Sequence, residues 1–313
     1  MNPRIVFMGS PEFAVPSLRK VAESYNVVGI VTQPDRPAGR GRSLTPPPVK
    51  LLAQEMDLPI IQPLSLKQTE VLEQLRSWKP DLVVVAAFGQ ILRPEVLDVP
   101  PRGCVNVHAS LLPRWRGAAP IQAAILHGDE RTGVTIMLMD PGMDTGPILS
   151  QRAIQILHQD TAASLGDRLA KLGAELLIET LPGYLEKGIQ PVAQDGSQVT
   201  YAPRLRKEDG ELDFNQPAVS LVRRVHAFNP WPGAYTTWKN QILKIHQAKV
   251  ELSDEVESAL SPGQHAIVRE PGRAQGLPAI CTARGLLVLD ELQPAGKKSM
   301  SGRVFLQGAR DWA

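Results

Sequence analysis

An alternation of short apolar runs with helically spaced stretches constrains this chain most. Arg4–Gly9 (RIVFMG), Val27–Thr32, Pro59–Gln62, Asp81–Phe88 (DLVVVAAF), Gly103–Ala109 (GCVNVHA), Gly133–Met139 (GVTIMLM) and Pro147–Ile156 read as strands. Between them, Phe13–Ser24, Val49–Met56, Ser65–Trp78, Ala118–His127 and Thr161–Leu181 carry helical spacing. Ser65 is the expected cap of its helix, with Leu66, Val71, Leu72 and Leu75 as its apolar stripe. Asp81–Phe88 has no polar alternation, as expected of a strand covered on both faces of a parallel sheet. Strand–helix alternation of this kind predicts an α/β fold with a doubly wound, mostly parallel sheet.

The character changes around Gly188–Asp209, where Pro191, Gly196 and Pro203 interrupt any period. This stretch reads as a linker. Beyond it, a short helix at Ala218–Ala227 precedes β-like runs at Ala234–Trp238, Ile242–Ala248, His265–Val268, Ala279–Thr282 and Leu286–Leu289. Glycine- and proline-bearing turns separate them, which predicts a small antiparallel barrel or sandwich. A chain of 313 residues accommodates these two cores. Its longest apolar run, Leu82–Phe88, is far too short to span a membrane, and Met1–Ser10 lacks the apolar stretch of a secretory leader. The two cysteines, Cys104 and Cys281, exclude a disulfide framework and a CxxC site, and a reducing cytoplasm is expected.

The turn after the first strand, Gly9-Ser10-Pro11-Glu12-Phe13, keeps one glycine of the dinucleotide fingerprint, and Pro11 removes a backbone donor. Neither NAD binding nor a phosphate-binding P-loop is expected. Asn106 and His108 stand two apart near a strand's carboxyl end, so they share a face where open α/β sheets place their sites. An amide donor beside a group that titrates near neutrality could hold an oxyanion and move a proton. A lone histidine on a strand is nevertheless more often structural than catalytic. Ser110–Gly117 (SLLPRWRG) offers two arginines and a tryptophan, either for an anionic ligand or as an ordinary loop. Asp140–Pro147 (DPGMDTGP) either carries an acid to His108 or is a capped turn. The remaining histidines show no metal spacing, so no metal is expected. Net charge is only +2, yet Arg36–Lys50 carries Arg36, Arg40, Arg42 and Lys50 without an acid. Such a patch is a solvated loop or a face for a polyanion.

These residues together resemble a known family. Asn106, His108, Ser110–Gly117 and Asp140–Gly146 resemble the folate-dependent formyltransferases. Gly9–Ala14 (GSPEFA), Gln33–Lys50 (QPDRPAGRGRSLTPPPVK), His226–Tyr235 (HAFNPWPGAY) and Leu292–Ser301 (LQPAGKKSMS) narrow the likeness to the branch acting on methionyl-tRNA. The resemblance implies a Rossmann-like catalytic domain at 1–188, a linker at 189–208 and an oligonucleotide-binding-like β-barrel at 209–313 that holds tRNA. It implies formyl transfer from 10-formyltetrahydrofolate to the α-amino group of methionine on initiator methionyl-tRNA, leaving tetrahydrofolate, by a cytoplasmic monomer. Asn106 and His108 are then the expected oxyanion partners, with Asp144 supporting His108. Phe88, Gly89, Gln90, Ile91, Leu92, Ser110, Leu111, Leu112, Pro113, Asp140 and Gly142 are the expected folate contacts. Arg36, Arg40, Arg42, Lys50 and Lys207 are the expected tRNA contacts. Transfer to a small amine, hydrolysis of the formylated folate, and a non-catalytic RNA-binding protein remain the rival readings.

Overall fold

The computed structural model describes residues 3–38, 43–252, 260–269 and 275–313. The first part of the chain runs β1 (Arg4–Gly9), α1 (Val15–Ser24), β2 (Asn26–Val31), β3 (Arg36–Ala38), β4 (Ser43–Thr45), α2 (Pro48–Glu55), β5 (Ile60–Ile61), α3 (Thr69–Ser77), β6 (Leu82–Ala86) and α4 (Pro94–Leu97). It continues through β7 (Cys104–His108), β8 (Arg116–Gly117), α5 (Pro120–His127), β9 (Arg131–Leu138), β10 (Ile148–Gln155), α6 (Ala162–Leu185) and β11 (Tyr201–Ala202). Contacts divide the chain into two compact units. One holds Met1–Pro120, Arg131–Gln155 and Gly166–Ala202; the other holds Ile121–Glu130, Ile156–Leu165 and Pro203–Ala313.

In the first unit a seven-stranded sheet has the order β10-β9-β7-β6-β1-β2-β5. Pairs from β5 to β7 are parallel, whereas β9 joins β7 antiparallel and β10 joins β9 antiparallel. The connection Met139–Pro147 is too short for the crossover a parallel pair needs, which explains the reversal at β10. The order in which strands are added reverses at β1, from β2 and β5 on one side to β6 and β7 on the other, so the sheet is doubly wound as expected.

Side-chain alternation sorts β7. Cys104 packs with Val83, Val85, Phe88, Leu92 and the α3 residues Val71 and Leu75, and Met139 packs against this cluster. Asn106 and His108 therefore point to the same side as the Phe88–Leu92 segment. Val107 points the other way, toward α6, where only glycine fits: a Cβ on Gly173 would lie 2.8 Å from Val107 Cγ1.

One expected cap is absent. The α3 helix starts at Thr69, with Gln68 as its cap residue, and the Ser65 hydroxyl accepts from the Lys67 amide in a preceding turn. Gln90 is the physical reason. Its carbonyl takes the Leu66 amide at 3.1 Å and its amide donates to Pro63 O at 3.2 Å, pinning the turn outside the helix.

The second unit holds α7 (Ala218–Ala227), β12 (Ala234–Trp238), β13 (Gln241–Glu251), β14 (His265–Val268), β15 (Leu277–Cys281), β16 (Leu286–Pro294) and β17 (Met300–Ser301). The strands form an antiparallel sheet in the order β12-β13-β16-β15-β14, with β17 on β16. Leu221 and Val225 of α7 pack on Leu243, Ile245, Leu287 and Leu289. Phe305 and Trp312 close this core, and the indole of Trp312 donates to Ala266 O at 3.0 Å. Among the described residues no helix is long and apolar enough to cross a membrane.

Gly29 of β2 lies against Trp78, and a Cβ there would come within 2.4 Å of the indole. Overpacking at such a site costs about 1–3 kcal/mol. Gly29→Ala is expected to lower the melting temperature by several degrees; an unchanged melt would contradict this packing.

Candidate active site

The site begins with His108, only 6% exposed, at the end of β7 opposite Thr135 of β9. Its Nε2 lies 3.0 Å from the carbonyl oxygen of Trp115. A carbonyl only accepts, so the ring proton sits on Nε2 and the lone pair of the neutral ring on Nδ1. Nδ1 in turn faces Asp144 Oδ1 at 3.6 Å. Asp144 is fixed from the other side by the Gly117 amide, which donates to Oδ2 at 2.8 Å. A proton arriving at Nδ1 would therefore meet a fixed carboxylate. Sequence spacing alone left that contact open.

Both residues that grip the imidazole have left-handed backbones, with φ 61° at Trp115 and 53° at Asp144. Aspartate tolerates this region, but tryptophan there costs on the order of 1 kcal/mol or more. The surrounding loop holds it in place. Thr135 Oγ1 donates to Ser110 O and accepts from Leu112 N, at 2.7 and 3.1 Å. Gln151 of β10 donates to Leu112 O and to Thr135 Oγ1. The Ser110 hydroxyl donates to Arg114 O at 2.6 Å, and the Trp115 amide donates to Thr200 Oγ1 at 2.9 Å.

Asn106 is 9% exposed and faces the same side as His108. Its side-chain amide makes no hydrogen bond among the described residues, leaving its donors open. The Asp140–Pro147 turn is closed on itself: Asp140 Oδ1 accepts from Gly142 N and from Thr145 Oγ1, at 3.0 and 2.6 Å. Glycine is required at 146, where a Cβ would fall 1.9 Å from Leu138 O.

The expected folate contacts fall into distinct environments. Phe88 and Leu92 are buried in the cluster beneath Asn106. Gly89 has φ 80° and an open Cβ side, while Ile91 is 84% exposed. Both hydrogen-bonding ends of Gln90 are used by the Pro63–Leu66 turn. Leu111 is half-buried, Leu112 is buried, and Pro113 receives the Thr200 amide on its carbonyl.

The basic segment separates similarly. Arg36 is exposed on β3 and donates to Gln33 Oε1. Lys50 is bound to both oxygens of Asp35, at 2.8 and 2.7 Å. Hydrogen bonds from Gln62 and then Lys50 hold the Asp35 carboxyl below the usual carboxylate range. Arg40 and Arg42 lie outside the described residues. Lys207 is exposed in a 3₁₀ turn of the second unit. In that unit Lys239 is paired with Asp311 and Lys249 with Asp290.

Thr135, Gln151, Thr200 and Gln194 organise the site without standing in any motif, and Gln33, at the head of the basic segment, organises its approach. Gln33 reaches Phe88 O through Nε2 at 3.2 Å, joining the base of the basic segment to the Phe88–Leu92 loop. Burial, followed by the Asp98 charge, pushes the Cys104 thiol up to about 12, so it does not supply a thiolate. Among the described residues no group of three His, Cys, Asp or Glu side chains could hold a metal.

Comparison with known proteins gives this geometry a family. Residues 3–181 match the formyl transferase family, and residues 204–310 match the formyl transferase C-terminal domain. The methionyl-tRNA formyltransferase of Myxococcus xanthus is 49% identical across 98% of this chain and 95% of its own. That of Methylococcus capsulatus is 52% identical across 97% and 96%. Among solved structures, WlaRD, a sugar 3N-formyl transferase, superposes with a TM-score of 0.66 at 17% identity, over 95% of this chain and all of its own. HypX from Aquifex aeolicus in complex with tetrahydrofolic acid gives 0.63 at 17% identity, over 98% of this chain and 47% of HypX. At that identity the solved structures speak for the fold alone, whereas the match over residues 3–181 and the near-full-length relatives place the chain in the formyl transferase family.

Proposed function

We propose that this chain transfers the formyl group of 10-formyltetrahydrofolate to the methionine amine of initiator methionyl-tRNA, working in the cytoplasm as a monomer. The observation that carries the chemistry is the His108 imidazole held between Trp115 O and Asp144, with the Asn106 amide open beside it. The amine nitrogen attacks the formyl carbon and a C–N bond forms. Asn106 N–H donors receive the oxyanion that develops on the formyl oxygen. The amine proton passes to the His108–Asp144 pair, where Nδ1 is the ring nitrogen still able to accept one. Collapse breaks the bond to the folate nitrogen, which takes that proton from the His108–Asp144 pair, and tetrahydrofolate leaves.

The folate is assigned to the face shared by Phe88–Leu92, Ser110–Pro113 and Asp140–Gly142. We assign catalysis to residues 1–188 and tRNA holding to 209–313, joined by 189–208. Arg36, Arg40, Arg42 and Lys207 are the proposed tRNA phosphate contacts. Lys50 belongs to this set by position, but its ion pair with Asp35 gives it a second task, fixing the base of the basic segment. A small acceptor would not need that basic segment, and the near-full-length relatives are methionyl-tRNA formyltransferases, which together favour tRNA over the rival acceptors.

Formylation of methionine-charged initiator tRNA, with charged elongator tRNA as control, tests the reading. Rapid transfer to the initiator alone is expected; folate deformylation without transfer to either tRNA would overturn the acceptor. Asn106→Ala and His108→Ala are each expected to lower turnover by on the order of a hundredfold, the usual loss for one oxyanion donor. Near-normal turnover in both would remove the site. Arg36→Ala is expected to raise the KM for tRNA and flatten its salt dependence while the folate KM stays put. An equal rise in both constants would contradict a phosphate contact.

A further inference from the structure

The segment after α6 has no period and no motif, yet it supplies one side chain that touches both loops of the site. Val192 pairs with Ile148 through two backbone hydrogen bonds of 2.8 Å, which fixes the strand direction just before Gln194. The Gln194 carbonyl then accepts from Arg116 Nε and Nη2, at 3.0 and 2.8 Å. Its amide donates to the backbone carbonyls of Asp144 and Gly146, both at 2.8 Å. All four hydrogen-bonding positions of the side chain are used, and the orientation is forced: a flipped amide would set NH₂ against a guanidinium and oxygen against two carbonyls.

The position of these contacts matters more than their number. Arg116 is buried, and its two chain neighbours are the groups that hold the catalytic pair: Trp115 O receives His108 Nε2–H, and Gly117 N–H receives Asp144 Oδ2. The same glutamine anchors Asp144 by its own carbonyl. Each half of the His108–Asp144 geometry thus depends on a loop that Gln194 ties to the other loop. The Nδ1–Oδ1 separation of 3.6 Å depends on Asp144 and on the Trp115 carbonyl that holds the ring, both on left-handed backbones. Such conformations persist only where neighbours over-determine them.

We propose that Gln194 is a positioning residue for formyl transfer, clamping the Arg116 loop to the Asp144 turn so that the carboxylate stays aligned on the imidazole. This rests on the catalytic assignment of His108 and Asp144 made above. Gln194 touches no reacting atom; it acts through Asp144 and the Gly117 amide.

Steady-state kinetics and amide exchange test it together. Gln194→Met keeps the length and loses every hydrogen bond; kcat is expected to fall about tenfold, with folate and tRNA KM values within about threefold, as misplacement of a catalytic group lowers rate more than binding. Gln194→Glu keeps the acceptor for Arg116 and loses both donors; the same fall in kcat is expected, and this variant serves if the first does not fold. In an Asp144→Asn background, Gln194→Met is expected to change kcat by less than about twofold, because residues acting through one group are not additive. Exchange of the Gly117 amide is expected to quicken at least about tenfold in Gln194→Met. Full kcat, an equal loss in both backgrounds, or unchanged Gly117 exchange would each overturn the clamp. If the unmodified protein fails to formylate methionyl-tRNA while Gly117 exchange still responds, the acceptor assignment falls and the clamp stands.

Discussion

Both nitrogens of His108 are engaged by groups from different loops, the carbonyl of Trp115 on one and the carboxylate of Asp144 on the other. Much of the first unit serves to keep those two groups where they are. The Ser110–Gly117 loop is fixed by Thr135 and Gln151 from the antiparallel strands and by Thr200 from beyond the long helix. The Asp140–Pro147 turn is closed by the Asp140 carboxylate and by a glycine at 146 that passes under a carbonyl. Preorganised polar groups of this kind act on developing charge without needing to move at the moment of reaction.

A doubly wound parallel sheet ordinarily suggests a nucleotide, and this one departs from that pattern at two places. The turn after β1 lacks the glycines that would admit a pyrophosphate. The sheet is also extended past β7 by two antiparallel strands. That extension supplies Thr135, Gln151 and the turn bearing Asp144. The proposed catalytic pair therefore sits at the end of β7, on the face that also carries Phe88, Leu92 and Met139.

The strands were legible because burial on both faces leaves a continuous apolar signature, as in Asp81–Phe88. Asn106 and His108 were legible because period-two geometry puts them on one face. Longer-range hydrogen bonds were not. Ser65 has the composition of a helix cap, but Gln90, 25 residues along the chain, removes the turn from α3. Lys50 looked like one of four like charges, because Asp35 lies just outside the basic run and nothing in a linear pattern pairs them. Gln194 had no signal at all: a single glutamine between proline and glycine reads as surface, and its four partner atoms belong to three residues 48 to 78 positions away.

The most direct test of the account is the single-turnover rate of formyl transfer from 10-formyltetrahydrofolate to methionyl-tRNA in Asp144→Asn. This change preserves an oxygen for the Gly117 amide and replaces the charged oxygen facing Nδ1 with an uncharged N–H donor. A fall on the order of a hundredfold, with substrate binding and melting temperature retained, is the predicted result. A rate within about twofold of the unmodified protein would contradict the His108–Asp144 pair as the centre of the reaction.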